Sequence, residues 1–449
     1  MSFRNIIGLV RRRGELGRHD AWPRERLETH QQRKLAAVRR YASARSPFYR
    51  EFHKGFEKAP LTELPVLTKQ NLMANFDQVA TDPRIKLAGV EAHLEAAGPA
   101  DRYLGKYTVS ATSGSTGSRG YFLFSPKEWT YLLATYSRAA WFAGVGPRPG
   151  KPMRSVRFGS PVPWHQSVQV GTSIQSRLAP MLHLDAKMEA TEIVRRLNDW
   201  QPGYIGTYAS LARMLAEEQL AGRLHIRPQM IGCGAEVLTT ETRAMIERAF
   251  GRVLYDYYGC SETGVIATEC REHSGLHMQE DLIIVEAVDA QGQAVKPGEF
   301  GERVLVTVLY RLAQPLIRYE ISDKVRVMDG MCACGRPYRR IESVQGRVEE
   351  TLYLPDASGR AAVVDVSAFE SVLDRVPATQ WQVVQEQDSI EVLLAGLARD
   401  FPEHKIAAPI YAALQAQGLR APELHVRRVD AIPRGATGKS PLIKNNLRR

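Results

Sequence analysis

Residues 230–259, MIGCGAEVLTTETRAMIERAFGRVLYDYYG, alternate an apolar run, a Gly-rich turn, an amphipathic stretch and a second apolar run. MIGCGAE reads as a buried strand leaving a turn. Thr239 or Thr240 caps the helix ETRAMIERAF, Gly251 ends it, and VLYDYYG is the next strand. Strand, turn, helix, strand is the pattern of a largely parallel sheet flanked by helices, so the fold class is α/β.

The same periodicities place other elements. QQRKLAAVRRYASA, 31–44, sets Leu35, Val38 and Ala42 on one helical face and is closed by Pro47; Thr68 suits the N-cap of KQNLMANF. A helix is expected over 126–143, strands and loops over 150–185, and a helix over 204–222, where Leu211, Met214 and Leu215 recur before Gly222. From 281 strands dominate, DLIIVEAV and RVLVTVLY among them. GRVEE at 346–350 opens a small α+β tail, with a helix near 366–376 and strands SIEVLLAG and ELHVRRVD. A chain of 449 residues exceeds one core, so two or three domains are expected.

SATSGSTGSRG, 110–120, precedes the strand-like YFLFS. A Gly-rich turn lets backbone N–H groups approach phosphate oxygens, and Ser113, Ser115 and Thr116 add hydroxyl donors without bulk. No Gly-Lys-Ser/Thr closes the turn, so it is not a Walker loop. The net charge of +11 favours polyanions such as ATP and CoA; the basic residues are scattered and no nucleic-acid signature accompanies them. No stretch of about 18 apolar residues reads as a spanning helix. RNIIGLVRRR is expected to be a solvated or packed N-terminal helix, and five cysteines in so long a chain fit a reducing cytoplasm better than a disulfide framework.

Four further segments follow in order: GAE at 234–236, YGCSE at 258–262, LIRYEISD ending at Asp323, and IPRGATGKS with Lys439. This ordered set resembles the adenylate-forming superfamily of acyl-CoA synthetases, nonribosomal adenylation domains and luciferases, most closely its phenylacetate-CoA ligase branch, from LPVLTKQNLMANFD at 64–77 to Lys439. The resemblance implies an N-terminal adenylation domain, 1–345, and a mobile C-terminal domain, 346–449, which turns at Glu349 or Glu350. It implies that a small carboxylic acid reacts with ATP to give acyl-AMP, and that CoA then captures the acyl group. An amine or a carrier-protein thiol as acceptor, and a nucleotide-binding protein without turnover, are the alternatives; a homodimer is possible.

By the same resemblance, Ser113, Gly114, Ser115, Thr116 and Gly117 hold the β- and γ-phosphates, with Arg119 in place of the loop's usual terminal base. Glu262 binds Mg²⁺. Gly234, Ala235 and Glu236 line one face of adenine and Tyr258 the other, Gly259 and Ser261 belong to the same nucleotide motif, and Asp256 accepts the adenine amino group. Asp323 and Arg347 meet the ribose, and Lys439 reaches the α-phosphate and carboxylate, with Lys444 as the alternative if the register shifts. Trp141, Phe142, Trp164 and Tyr208 are candidate walls of the acyl pocket. Cys270, His277, Cys332 and Cys334 would make a closed structural zinc site if intervening strands fold them together; His273 is the weaker fourth ligand, and the alternative is three free thiols and a surface His. Cys233 and Cys260 read as small buried residues beside the nucleotide.

Overall fold

The computed structural model describes residues 3–112, 119–146, 151–347, 352–364, 367–435 and 438–447. Met230–Gly234 and Leu254–Cys260 are parallel neighbours, Ile231 opposite Leu254 and Gly234 opposite Tyr257, with helix Thr240–Phe250 crossing between them. The Thr239 hydroxyl accepts from the N–H of Thr242 at 3.2 Å, which satisfies one of the free donors of the helix start. These strands sit in a ten-stranded sheet. Its parallel strands run Met181–Asp185, Ser155–Gly159, Tyr204–Thr207, Met230–Gly234, Leu254–Cys260. It continues antiparallel through Gly264–Glu269, Leu276–Met278 and Arg340–Arg347 to Asp323–Val327 and Phe300–Gly301.

Side chains alternate along each parallel strand, so the sheet has unlike faces. Val156, Phe158, Ile205, Ile231, Cys233 and Leu254 join Ile193, Leu197, Leu211, Leu215 and Ile246 of the covering helices in one core. On the other face lie Arg157, Tyr204, Gly206, Gly232, Gly234 and Tyr257, under the helix Pro126–Ala143, from which Tyr136 meets Tyr257 edge-on. That helix starts in a capping box of Ser125 and Glu128 and ends at Gly144 in the left-handed region.

Two expectations are corrected. Residues 204–222 are not one helix: Tyr204–Thr207 is a central strand, and the helix is Ala209–Leu220. Four apolar and small residues running straight into a helical pattern leave too few alternations to show a strand. The stretch 150–185 also contains a helix, Gln166–Ile174, which no side chain caps and whose Gly, Thr and Ser residues obscure its period.

Helices Phe3–His19 and Arg24–Arg45 pack on this body, with Leu16, Leu35, Val38 and Ala42 buried. The C-terminal region has a core of its own, built from residues between Leu352 and Ile443. Its sheet runs Glu423–Val429, Ser389–Ala395, Gln380–Gln385, Ile443–Asn445, beside helices Ser367–Leu373 and His404–Ala416. No described helix is long and apolar enough to cross a membrane.

Candidate active site

The GAE and YGCSE segments leave the C-terminal ends of neighbouring parallel strands, the edge at which open α/β sheets bind ligands. Their local shapes are fixed by close approach. A Cβ on Gly234 would stand 2.4 Å from the Tyr257 ring, and one on Gly259 2.6 Å from the Gly264 carbonyl oxygen. Ala235 holds a left-handed φ of 66°, strain of the kind found where backbone must be presented to a ligand. Glu236 ties two regions of the molecule together: Oε2 accepts the N–H of Ser210 at 2.9 Å and Oε1 the N–H of Ser440 at 2.7 Å. Burial pushes its carboxyl up, while those two N–H groups and Arg434 act the other way.

After Gly259 the strand folds into a tight hairpin, Cys260 opposite Gly264, which carries Ser261 and Glu262 at its tip. The tip is held by its carbonyls: Ser261 accepts from Gln166 Nε2 at 2.9 Å, Glu262 from Arg311 at 2.5 Å and Thr263 from the Tyr310 hydroxyl at 2.7 Å. The Glu262 side chain is thereby presented almost buried, 9% exposed, with Oε2 lacking a hydrogen-bond partner among the described residues. A buried anionic oxygen in this condition is costly unless a cation completes it, and a carboxylate oxygen is the ligand Mg²⁺ prefers. The Tyr258 hydroxyl donates to Asp323 Oδ2 at 2.7 Å, and Asp323 pairs with Arg347 across the ladder. Burial, then Glu269, pushes the Asp256 carboxyl up to about 7.

The C-terminal loop meets this edge. Arg434 donates to Ser210 Oγ at 3.1 Å and to the Gly438 carbonyl at 3.0 Å, and Gly438 is pressed on Ala186. Lys439 sits between Gly438 and the Ser440 N–H on Glu236. Lys444 is exposed on the C-terminal sheet opposite Val384, so of the two lysines it is Lys439 that lies beside the GAE segment. Ser113–Gly117, Glu349, Glu350 and the side chain of Arg347 lie outside the described residues.

His165, which sequence reasoning did not single out, stands near Arg119 and Lys439. It is 9% exposed, Nδ1 has no partner among the described residues, and burial, Arg119 and Lys439 hold its pKa below the usual imidazole value. A single His in an irregular loop carries no periodic or motif signal. Among the expected acyl-pocket walls, Tyr208 stands by Glu236, which raises its pKa along with burial, and Trp164 lies under Arg119, 5.9 Å from ring centroid to guanidinium. Phe142 and Trp141 belong elsewhere. The sheet-facing stripe of their helix passes through Tyr136, Ala139 and Ala143, and the rotation of a helix carries Phe142 to His277 and Tyr338 and Trp141 to Arg13.

The cysteine constellation does assemble. Cys270 follows strand Gly264–Glu269, His277 lies on Leu276–Met278, and Cys332 and Cys334 precede Arg340–Arg347, which pairs Arg340 with His277. The four ligand atoms all lie within 4.8 Å of one another; Cys270 and Cys332 Sγ are 3.8 Å apart, and Cys334 Sγ is 3.4 Å from His277 Nε2. A tetrahedron with zinc–sulfur bonds of about 2.3 Å and zinc–nitrogen of about 2.0–2.1 Å has edges of about 3.8 and 3.5 Å, so the donor set fits zinc. His273 is outside this group, tilted against Tyr255 with ring centroids 4.8 Å apart and Nδ1 3.4 Å from Glu269. Cys233 and Cys260 are buried, their thiols pushed up by burial.

In sequence the chain is 25% identical over 386 residues to the phenylacetate-coenzyme A ligase of Thermus thermophilus, covering 82% of this chain and 80% of that one. It is 24% identical over 425 residues to Protein CapK of Staphylococcus aureus, covering 91% and 87%. The chain is a relative of the phenylacetate-CoA ligases. No family profile matches it. Its fold is that of adenylate-forming enzymes: it superposes on 2-hydroxyisobutyryl-CoA ligase in the postadenylation state, in complex with 2-HIB-AMP, with a TM-score of 0.75 at 18% identity over 96% of this chain and 92% of that one. The thioesterification state of the same ligase gives 0.60 at 20% identity over the same shares.

Proposed function

We propose that this chain is an adenylate-forming acid–CoA ligase. A carboxylate oxygen of a small acid attacks the α-phosphorus of ATP, the bond to pyrophosphate breaks, and acyl-AMP forms; the CoA thiolate then attacks the acyl carbon and AMP leaves. The observation that carries this reading is the seating of the Lys439 loop on Glu236, at the strand edge that also presents Tyr258, Asp323 and Glu262.

In this reading Ser113–Gly117 hold the terminal phosphates, Gly234–Glu236 and Tyr258 enclose adenine, Asp256 meets its amino edge, and Asp323 and Arg347 meet the ribose. Tyr258 and Asp323 are already joined by a hydrogen bond, which fixes the ring and aims the second carboxylate oxygen. Lys439 brings a positive charge to the α-phosphate and carboxylate, where charge develops. Glu262 would hold Mg²⁺, which neutralises phosphate charge when bound. Cys270, His277, Cys332 and Cys334 would hold zinc in a closed structural site. The boundary near 346, a reducing cytoplasmic setting for the five cysteines and a homodimer complete the proposal, with a carrier-protein thiol or an amine as the alternative acceptor.

Acid-dependent ATP–pyrophosphate exchange across aryl, arylacetic, fatty and amino acids, followed by CoA, carrier or amine capture of the acyl group, tests it. Exchange with one acid class and thioester formation with CoA is the expected result. ATP binding without exchange for any acid would replace it with a non-catalytic nucleotide-binding role.

A further inference from the structure

Arg157 is 6% exposed on the sheet face under helix Pro126–Ala143, and among the described residues no carboxylate forms an ion pair with it. Its guanidinium carbon lies 5.5 Å from the Tyr136 ring centroid and 3.6 Å from where a Cβ on Gly206 would stand. Tyr204, Tyr257 and Tyr136 are its dominant electrostatic neighbours, and burial pushes all three phenols up, so they are neutral at physiological pH. His183, opposite Arg157 on the adjacent strand, is held down by burial and by Arg157 itself. Arg157 hydrogen-bonds the Tyr257 side chain, while its Nε has no hydrogen-bond partner among the described residues.

Other buried arginines are differently served. Arg138 has Asp20 and Asp281, Arg318 has Glu286, and Arg311, whose Nε also lacks a partner among the described residues, donates to the carbonyls of Glu262 and Leu123 and to Gln314. A buried guanidinium among neutral groups is destabilising unless an anion completes it.

The surroundings show where that anion would come from. Arg157 faces Gly206 across one ladder, Gly206 faces Gly232 across the next, and Gly234 lies two residues further, at the catalytic edge. At about 3.3 Å per residue and about 4.8 Å between strands, Gly206 and Gly234 are roughly 8 Å apart. The glycines form a floor on which aromatic rings lie: a Cβ on Gly232 would come within 3.0 Å of the Tyr204 hydroxyl, and one on Gly234 within 2.4 Å of the Tyr257 ring. Rings over a glycine floor can turn aside for a flat or slender ligand where backbone cannot.

We propose that Arg157 receives an anionic group at the far end of the acid, so that the substrates are short dianionic acids with a second carboxylate about one ring's length from the reacting one. This rests on the adenylating reading. The reacting carboxylate lies at the Gly234 edge near Lys439, the body of the acid occupies the glycine floor, and its distal carboxylate pairs with the guanidinium.

The test compares matched acids, benzoate and 4-methylbenzoate against benzene-1,4-dicarboxylate, and hexanoate against hexanedioate. Pyrophosphate exchange is measured, and separately calorimetric binding with a non-hydrolysable ATP analogue present. The wild-type chain is expected to prefer the dicarboxylate of each set by about 100-fold in kcat/KM, the size of one buried charge-assisted pair. Arg157→Met is expected to remove that preference while retaining activity on the uncharged partner, with Arg157→Lys keeping some of it. The melting temperature of Arg157→Met should not fall, since removing an unpaired buried charge is neutral or stabilising. Preference for uncharged ends, equal loss on both kinds of acid, or a Met variant that unfolds easily would overturn the inference. Arg157-dependent binding of dicarboxylates without exchange would uphold it and sink the adenylating reading; neither binding nor exchange with any dicarboxylate would overturn it.

Discussion

Asp256 shows how one carboxyl is tuned by its strand. Its N–H donates to Glu269 Oε2 at 2.8 Å, and burial with that neighbouring charge lifts its carboxyl to about 7. Because the folded value lies above the unfolded one, the stabilising contribution is complete below about pH 4 and is lost as pH rises through about 7. Asp256→Asn should therefore flatten stability between these limits and make the variant more stable at pH 8, by at most a few kcal/mol at about 1.4 kcal/mol per unit. Urea unfolding at pH 4.5 and 8 checks this; an unchanged pH slope would show that the shift is absent. Lys439 is a different case, since its charge serves only one half of the reaction. Lys439→Ala should lower exchange by about 100- to 1,000-fold, as removal of a transition-state charge contact does, and lower thioester formation from supplied acyl-AMP far less. Equal loss in both assays would remove the assigned role.

At the scale of elements, the turn that carries Cys332 and Cys334 has little apolar support. Among the described residues its cluster joins Cys270, Cys332 and Tyr338 only to Leu27 and Phe142, with Trp22 and Cys334 at its margin. Bound zinc is then expected to supply much of what fixes it. Metal analysis should find stoichiometric zinc, and chelation or Cys332→Ser should lower the melting temperature and open the turn at 329–339 to protease; metal-free protein with unchanged melting would refute the site. This cluster was legible because cysteines and a histidine have few reasons to converge, and strands between them supplied a route. The Thr239 cap and the helix Pro126–Ala143 were legible because cap residues and a long apolar stripe act locally. Strand Tyr204–Thr207 and helix Gln166–Ile174 were not, since what decides them is the sheet on either side. His165 and Arg157 escaped for the same reason: their meaning lies in an unpartnered atom inside a packed face, and no spacing in the sequence encodes that.

At the scale of the whole molecule the C-terminal unit meets the larger body at small contacts, and one of them offers a way to separate the two half reactions. The unit built from residues 352–443 touches the larger body through Ser440 on Glu236, Arg434 on Ser210 and the Ala378 carbonyl on Arg213 at 3.0 Å. Gly438 is also in that contact, with φ 82° and a would-be Cβ only 2.4 Å from Ala186 Cβ. In Gly438→Ala the positive φ costs about 1 kcal/mol wherever the loop keeps that shape, but the collision with Ala186 exists only while the loop is seated. Overpacking of this kind costs about 1–3 kcal/mol, equivalent to roughly 5- to 150-fold less of the seated state. Exchange should fall by about that factor with Lys439 still present, whereas CoA capture of supplied acyl-AMP should stay near the wild-type rate, because that step does not need the loop on Ala186. A variant slow in both would mean that the loop stays seated on Ala186 throughout, and that the two cores do not move apart between the half reactions.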